Sequence, residues 1–528
     1  MLDLRPAAAS RSCAKLLIRV KSLTLDARST NWLRPPMLTR RGFLTTVSGG
    51  CAGLLWTENR LVAMPRALQQ PPPAPTSVNS LKADVTLRIG RVSFDVAKNR
   101  TIHTIGYNGT VPGPILRLRE SAPITVDLFN DTDTPELAHW HGQLIPPDVD
   151  GATEEKSMVV QAHGHLRYRF TPGPSGARFL HTHVAAVSDL QRGTYTGQFC
   201  FVYIEPRENP GAYDQEVFLA THEWEPFLSN GEEEEEEEQA APMSAEEKAD
   251  REASEKADKA RPNGWEVGYK LFSINGKALG HGEPVRVREG QRVLFHFLNA
   301  SATENIKLAL PGHRFRVIAL DGNAVPNPHE VDVLQLGTAE RIDAVVEMKN
   351  PGVWILGTPM DDDRSNGMGI VVEYADKTGA PRWQAPPKSR WDYTQSGANQ
   401  PAPKPDQIIP MAFGKINGGK GGFNRWTING KGFHEQGAPT ELKKGLRYRL
   451  AFHNKTDDAH PVHLHRNIFE LTSVDGKPTS GVKKDVVVVR GFGRVDVDFT
   501  ADQPGLTLFH CHQQMHMDYG FMQLFNVV

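Results

Sequence analysis

Cysteine is scarce in this chain. Four of its 528 residues are cysteines, too few for a disulfide framework in a protein of this length. Cys13 and Cys51 fall in an N-terminal segment that we expect to be removed, which leaves Cys200 and Cys511. Cys200 lies in the compact apolar run 197–204, where a cysteine is most simply a small core residue. Cys511 is therefore either a free thiol or a metal ligand, and an exposed free thiol would be a liability in an oxidising compartment.

An excess of charge of either sign is also lacking. Lysine and arginine number 60, against 62 aspartates and glutamates, so nothing in the charge balance calls for nucleic acid or a membrane surface as a partner. The apolar run near the N-terminus is too short to span a bilayer. We therefore expect no nucleic-acid partner and no stable membrane span in the mature chain.

The first 78 residues form an N-terminal extension unlike a folded domain. Arg40-Arg41-Gly42-Phe43-Leu44 precedes a short apolar run and then a proline-rich exit, and it resembles a twin-arginine export signal. The 36 residues before Met37 fit no signal pattern, which favours Met37 as the true start. We expect an exported, periplasmic protein; the alternative is a basic, disordered tail.

Helical periodicity is scarce, and alternating apolar and polar residues predict an all-β chain. A weak internal repeat divides it. In each third, an Asn-Gly turn leads through an alternating strand to a second asparagine, which favours three copies of one β-sandwich module over chance similarity of hairpins. The three copies run from Asn108-Gly109 to Asn130, from Asn275-Gly276 to Asn299, and from Asn429-Gly430 to Asn454.

The predicted domains are 79–210, 211–385 and 386–528, and the proline- and glycine-rich stretch 381–405 is the second link. The middle domain carries a charged insertion, 231–262, in which seven glutamates, Glu232 to Glu238, precede an Ala/Glu/Lys-rich segment. Opposite charges at i,i+4 spacing predict a solvated helix after a disordered acidic run. A role for this run in gathering metal cations is a less favoured alternative.

The histidines of this chain are unusually clustered. Ten of its twenty histidines fall into four tight clusters, two in the first domain and two in the third, so docking of these domains would make a composite site. Residues i and i+2 of a strand share one face, roughly 6–7 Å apart, and imidazoles without carboxylates favour copper over Mg²⁺ or Ca²⁺. His163-Gly164-His165 repeats the spacing but lies in a polar turn, and we expect it to be exposed. The clusters are His139/His141, His181/His183, His460/His463/His465 and His510/His512/His516.

The last cluster contains Cys511 between His510 and His512. The apolar approach 506–509 predicts a strand, so these two histidines share one face and the cysteine points to the other. A cysteine with two imidazoles is the ligand set of a blue-copper site. One short peptide would thus join two metal sites.

The clusters, their order and their division between the outer domains resemble the three-domain, bacterial laccase-like multicopper oxidases. The stretches 111–114, 150–151 and 193–197 match as well. The resemblance implies three cupredoxin-like, Greek-key β-sandwiches and four copper ions, with electrons passing from Cys511 through His510 and His512. It implies His460, Cys511 and His516 as type 1 ligands; His139 and His463 as type 2 ligands; and His183, His465 and His510, with His141, His181 and His512, as ligands of the type 3 pair.

Two features depart from the family pattern or extend it. Phe521 stands at the family's axial position and cannot coordinate, and strand alternation turns Met522 away, which predicts a raised type 1 potential. Asp150 is a candidate proton relay to oxygen. Asp518 is a second, for which a solvated turn is an equal alternative.

We expect a laccase-like oxidase that takes single electrons from phenols or aromatic amines near the edge of His516 and reduces dioxygen to water. The main alternative is a metallo-oxidase acting on Cu(I), Fe(II) or Mn(II), which the acidic run favours and the absence of a methionine-rich insert disfavours for copper. A copper nitrite reductase and a copper-free scaffold fit the retained ligands less well.

Overall fold

The computed structural model describes residues 82–206, 213–230, 243–398 and 400–528, and Ser80–Val528 form one compact unit. The predicted export signal, Met37, Cys13, Cys51 and the run Glu232–Glu238 lie outside the described residues. No helix among the described residues is long and apolar enough to cross a membrane.

The first third of the described chain folds into two four-stranded sheets, with strand orders β2-β1-β4-β6 and β3-β8-β7-β5. The two sheets enclose an apolar core that contains Cys200, as predicted. The elements are β1 (Val85–Ala97), β2 (Arg100–Tyr107), β3 (Leu116–Arg119), β4 (Ile124–Asn130), β5 (His139–His141), α1 (Pro147–Asp150), β6 (His165–Phe170), β7 (Gly176–His181) and β8 (Phe199–Glu205).

The middle third has a six-stranded sheet, β12-β9-β14-β19-β16-β17, and a five-stranded sheet, β13-β21-β20-β15-β18, with β10 and β11 as a separate pair. Its elements are β9 (Gln215–Trp224), β10 (Phe227–Ser229), α2 (Ala245–Ala260), β11 (Glu266–Gly268), β12 (Leu271–Ile274), β13 (Val285–Val287), β14 (Arg292–Asn299), β15 (Ile306–Ala309), β16 (Phe315–Leu320), β17 (Asn323–Val331), β18 (Val333–Leu336), β19 (Arg341–Glu347), β20 (Val353–Gly357), α3 (Asp361–Ser365) and β21 (Gly369–Tyr374).

The last third repeats this plan with the sheets β23-β22-β25-β30-β27-β28 and β24-β32-β31-β26-β29. Its elements are β22 (Gln407–Ile416), β23 (Arg425–Ile428), β24 (Thr440–Leu442), β25 (Arg447–Asn454), β26 (His460–Leu464), β27 (Phe469–Val474), β28 (Lys477–Lys484), β29 (Val486–Val489), β30 (Arg494–Thr500), β31 (Gly505–Cys511), α4 (Gln514–Asp518) and β32 (Met522–Val527).

The three sandwiches share one topology. Each has a parallel strand pair in each of its two sheets: β1 with β4 and β3 with β8, β9 with β14 and β13 with β21, and β22 with β25 and β24 with β32. The prediction of an all-β chain with three cupredoxin-like sandwiches is confirmed. The domain boundaries stay a prediction, although the strands of each sandwich all come from one predicted range.

The sequence repeat is also present in the hydrogen bonds. In the third sandwich, Asn429 has φ of +52°, and its side-chain oxygen accepts from the Ala412 amide at 2.8 Å. The buried Asn454 at the end of β25 donates to the carbonyl of Asp458 at 2.7 Å and accepts from the Thr456 amide at 3.0 Å. The same bonds recur in the other sandwiches, at Asn108 and Asn130 and at Asn275 and Asn299.

The predicted helix of the insertion is present as α2, which begins with a capping box of Ser244 and Glu247. The predicted i,i+4 pair of Glu255 with Lys259 is present at 3.9 Å, but other charges of the helix contact the third sandwich. Glu247 pairs with Arg490 at 2.5 Å, and Asp250 pairs with His453 at 2.6 Å. The helix is therefore attached by ion pairs to a domain far along the chain.

An ion cluster around the buried His296 joins three strands of the middle sandwich, β9, β14 and β19, and generates a pH prediction. His296 lies 2.7 Å from Asp343 and 3.1 Å from Glu216. Burial alone would lower the pKa of His296, but the two carboxylates raise it to about 9. Since the unfolded value is 6.5, this contribution to stability is complete below pH 6.5 and is lost as the pH rises through 9.

We therefore predict that His296→Gln lowers the free energy of unfolding by about 3–5 kcal/mol at neutral pH, because it leaves the buried carboxylate of Asp343 without its cation. The difference between wild type and variant, measured by urea unfolding, should shrink between pH 7 and pH 10. A difference that stays constant over this range would show that His296 is not charged in the folded protein.

Candidate metal centre

Cys511, the last residue of β31, faces two histidines from other segments of the third sandwich. Its Sγ lies 3.8 Å from Nδ1 of His460 and 3.6 Å from Nδ1 of His516, and these two nitrogens are 3.2 Å apart. All three side chains are buried. The arrangement brings a thiol and two imidazole nitrogens within 4.8 Å of one another, so the three residues could hold a metal ion.

His510 and His512, on either side of Cys511, point the other way into a group of eight histidines. Nε2 of His510 lies 3.0 Å from Nε2 of His465, and with His183 their nitrogens lie within 4.8 Å of one another. Nε2 of His512 lies 3.4 Å from Nε2 of His181. Strand alternation thus places the two sites on opposite faces of β31, as the sequence predicted.

The remaining rings of this group come from β5 and β26. Nδ1 of His141 lies 3.4 Å from Nε2 of His181, and the nitrogens of His139, His463 and His465 lie within 4.8 Å of one another. The pairing of β5 with β7 sets His139 directly opposite His181. The four sequence clusters therefore meet in two sites, and the larger site lies between the first and third sandwiches.

Oxygen atoms hold the outer nitrogens of most of these rings. His465 Nδ1 donates to Asp150 Oδ2 at 2.7 Å, and His139 Nδ1 donates to the Asp150 carbonyl at 2.8 Å. Such contacts fix the tautomer and direct the other nitrogen inward. Further outer contacts are those of His181 with the Thr182 carbonyl, His463 with the Asp485 carbonyl, His510 with the Cys511 carbonyl, His141 with Asp485 Oδ1 and His460 with Thr456 Oγ1.

Burial disfavours the charged form of most donor groups in both sites. It is the largest cause that lowers the pKa of nine of the ten histidines, His183 to about 4 and the others in the same direction, and neighbouring imidazoles add to it in the larger site. Burial also raises the pKa of the Cys511 thiol. The nine histidines are His141, His181, His183, His460, His463, His465, His510, His512 and His516.

Three imidazole nitrogens that point into the larger site show whether its residues suit a metal. Nε2 of His139, His183 and His463 is buried and has no hydrogen-bond partner among the described residues. A buried polar atom without a partner is costly, and bound metal cations would satisfy these lone pairs. The residues present therefore fit copper, for which imidazole and thiolate are suitable ligands.

Two buried carboxyls lie beside the larger site. Asp150 ends α1 and contacts His465 and His139, whereas Glu155 accepts from the Leu508 amide of β31 at 2.6 Å. Burial and then Asp150 raise the pKa of Glu155 well above its usual value. The sequence predicted Asp150 but missed Glu155, since nothing in the polar stretch around it distinguishes a buried carboxyl.

The surroundings of the smaller site differ from expectation in one respect. His516 is only 5% exposed, and the Trp426 ring covers it with 3.9 Å between ring centroids. Phe521 packs 4.8 Å from the His460 ring, while Met522 belongs to a separate apolar cluster. The edge of His516 is thus more deeply buried than we expected for the position at which a donor gives up its electron.

Asp518, at the end of α4, is not in a solvated turn. Its Oδ2 accepts from the amides of Ala186 and Val187 at 2.8 and 2.7 Å, and burial raises its pKa to about 6. It ties α4 to the first sandwich. The expectation that His163 and His165 are exposed is confirmed, and both pair with aspartates. His165 is the first residue of β6.

Family models described as multicopper oxidase match residues 88–209, 246–373 and 410–528. The chain belongs to the multicopper oxidase family. It is a copper-dependent oxidoreductase with dioxygen as acceptor, as members of this family are. The multicopper oxidase MmcO of Mycobacterium tuberculosis is 27% identical, over 94% of this chain and 97% of that protein.

Solved multicopper oxidases share the fold at lower identity. A laccase from Botrytis aclada gives a TM-score of 0.66 at 18% identity, covering 84% of this chain and 87% of that one. A multicopper oxidase from Campylobacter jejuni, described as a metallo-oxidase, gives 0.62 at 18% identity, covering 85% and 93%. These similarities support the fold. They are equally compatible with an organic electron donor and with a metal-ion donor, because the similar structures include a laccase and a metallo-oxidase.

The protonation of Cys511 generates a prediction for metal binding. Because burial keeps the thiol protonated, copper can bind it only with release of that proton. Calorimetric titration of the apoprotein with copper, in buffers of different ionisation enthalpy, should show about one proton more released by wild type than by Cys511→Ser. The variant should also lose the intense blue absorption.

Cys200→Ala is the matched control, since Cys200 is a buried free thiol in the apolar core of the first sandwich, and it should behave as wild type. Blue absorption in Cys511→Ser would contradict the assignment.

Proposed function

We propose that this protein is a laccase-like multicopper oxidase that takes single electrons from phenols or aromatic amines and reduces dioxygen to water with four copper ions. The observation that carries the proposal is the direct link between the two sites: Cys511 of the smaller site has His510 and His512 of the larger site as its chain neighbours. In this proposal the smaller site is the type 1 centre, and the eight histidines form the trinuclear centre.

The ten histidines and Cys511 are the proposed ligands of the four copper ions. His460, Cys511 and His516 would hold the type 1 copper, and His139 and His463 the type 2 copper. Copper bound at these sites supplies one-electron oxidation of the donor and four-electron reduction of dioxygen. The type 3 coppers would be held by His183, His465 and His510 and by His141, His181 and His512.

Asp150 and Glu155 are the proposed proton-holding groups at the trinuclear site. Each has a buried carboxyl oxygen with no partner among the described residues, Oδ1 of Asp150 and Oε2 of Glu155. The reduction of dioxygen consumes protons, and burial and then the neighbouring Asp150 raise the pKa of Glu155, which favours its protonated form. The two acids therefore suit the delivery of protons to the side of the site formed by His465.

A small cavity suits the approach of dioxygen. It has a volume of about 10 Å³, room for about one water-sized molecule. His181 and His512 form part of its wall, with Thr194, Gln198 and Ser301 as polar neighbours. Small molecules can thus come close to one pair of the proposed type 3 ligands.

The type 1 surroundings favour an organic donor over a metal cation. His516 lies under Trp426, and His460 Nε2 meets the hydroxyl of Thr456 at 2.9 Å. Burial is the largest cause that lowers the pKa of both rings, and the buried ammonium of Lys415 lowers it further. Because Asp457 and Asp458 offset the charge of Lys415, the feature that favours an organic donor is the aromatic cover of His516 by Trp426.

Oxidation of Cu(I), Fe(II) or Mn(II) is the second candidate function. Asp457 and Asp458, at 2.6 and 2.9 Å from the Lys415 ammonium, are partly exposed carboxylates near the type 1 histidines. Their net negative charge could attract a cation despite Lys415. The export of the protein, as its N-terminal sequence predicts, is compatible with both candidates.

Oxygen uptake by the copper-loaded enzyme distinguishes the candidates. We predict uptake with phenols and aromatic amines at a higher kcat/KM than with Fe(II), Cu(I) or Mn(II), measured with an oxygen electrode alongside copper content by elemental analysis. Uptake with metal ions alone would replace the laccase-like proposal by the second candidate. A chain that binds no copper after reconstitution would contradict both.

The residue at position 521 generates a prediction for the type 1 potential. Phe521 has no donor atom, so Phe521→Met can add a weak axial thioether and should lower the reduction potential. The measurement is a redox titration of the blue absorption. Phe525→Met is the control, as a buried phenylalanine in the same sandwich core, and should leave the potential unchanged; an equal or higher potential in Phe521→Met would refute the prediction.

A further inference from the structure

The middle sandwich supplies none of the ten clustered histidines, yet it reaches the larger site through Asp485. Arg341, the first residue of β19, is fully buried. Its Nη1 and Nη2 donate to Oδ1 and Oδ2 of Asp485, each at 2.6 Å. A two-bond pair of this kind fixes the plane and direction of the carboxylate as well as its position.

Asp485 in turn contacts two rings of the eight-histidine group. Its Oδ1 lies 3.1 Å from Nε2 of His141, and its backbone carbonyl accepts from Nδ1 of His463 at 2.7 Å. One residue thus orients one ring through its side chain and another through its main chain. The amides of Asp485 and Val486 lie 3.3 and 3.1 Å from the carboxylate of Asp321, also in the middle sandwich.

His141 uses its two nitrogens in the opposite sense from its neighbours. In His139, His181, His463, His465 and His510 the nitrogen held by oxygen is Nδ1, whereas in His141 it is Nε2, and Nδ1 faces His181. A neutral imidazole carries one N–H. His141 can therefore offer Nδ1 to a metal only while an acceptor keeps the proton on Nε2.

Close packing holds the acceptor in place. Gly142, which follows His141, has φ of +79°, and a Cβ there would lie 2.5 Å from Asp485 Oδ2 and 2.7 Å from Arg341 Nη2. The ion pair therefore lies directly against the backbone beside His141. Arg178 of β7 adds a contact with Asp485 at 3.4 Å, so all three sandwiches contribute to this junction.

We propose that Arg341 of the middle sandwich is a positioning residue for the trinuclear site: by clamping Asp485 it keeps His141 in the tautomer that leaves Nδ1 free for copper. This inference rests on the proposed function, in which His141 is a copper ligand. It gives the middle sandwich a role in the copper chemistry, because the orientation of His141 is complete only when all three sandwiches are docked.

A merely structural role for the same ion pairs is the competing explanation, and the junction offers a matched control. Glu340, next to Arg341, is equally buried and pairs with Lys484 at 2.9 Å and with the Tyr393 hydroxyl at 2.6 Å. It ties the middle and third sandwiches together through groups that are not candidate ligands. Glu340→Gln therefore tests the loss of a buried interdomain ion pair by itself.

The test compares Arg341→Lys with wild type and Glu340→Gln. Lysine keeps the charge but cannot make the two-bond clamp. In ¹⁵N-histidine-labelled apoprotein, with the His141 signal assigned by its loss in His141→Gln, we expect wild type to show Nε2–H and Arg341→Lys a mixture of tautomers. In copper titrations followed by absorption and electron paramagnetic resonance, we expect trinuclear affinity to fall by about 10–100-fold, with the blue type 1 absorption retained.

Glu340→Gln should lower thermal stability without changing the His141 tautomer or the copper distribution. Asp485→Asn, which keeps an oxygen for His141 but loses part of the clamp, is the second variant in case Arg341→Lys does not fold; it should show the same effects to a smaller extent. An unchanged tautomer and copper affinity in both variants, or an equal copper loss in Glu340→Gln, would overturn the proposal. Failure of wild type to bind copper in the larger site would instead overturn the proposed function.

Discussion

The structure depends on one constraint: eight imidazoles are buried together between two sandwiches. Inward nitrogens of His139, His183 and His463 have no partner among the described residues, while the outer nitrogens are held by carbonyls and carboxylates. Desolvation lowers the pKa of seven of these rings and so disfavours their charged form. A bound metal would therefore give these buried inward nitrogens the partners that they lack among the described residues.

The same loop-closing asparagine recurs in all three sandwiches, but its surroundings have a different role in the third. The asparagine at the end of β4, β14 and β25 closes the same loop in each sandwich. In the third sandwich Thr456, whose hydroxyl donates to Asn454 at 2.8 Å, also contacts His460 Nε2. The residue pair that closes a loop of the fold thus also contacts His460, a proposed type 1 ligand, and in our proposal the middle sandwich supports the other centre through Arg341.

The sequence predicted what depends on local spacing. Alternation along a strand was enough to separate Cys511 from His510 and His512, and the Asn-Gly turns were enough to find the repeat. It also identified His163 and His165 as exposed, because a glycine in a polar turn breaks the strand that a shared face requires.

The supporting residues lie beyond such reasoning, because their roles come from contacts between distant parts of the chain. Asp485 and Arg341 are 144 residues apart, and Asp485 and His141 are 344 apart. A charged residue ahead of the valine-rich β29 was the only local sign of Asp485. Trp426, which covers His516, and Glu155, beside Asp150, carried no sign at all.

The most direct measurement is anomalous X-ray diffraction at the copper absorption edge from crystals of the copper-loaded protein. The account predicts one copper among His460, Cys511 and His516 and three among the eight histidines, one of them bound by Nδ1 of His141. Copper missing from the eight-histidine site, or found only at exposed residues such as His163 and His165, would contradict it.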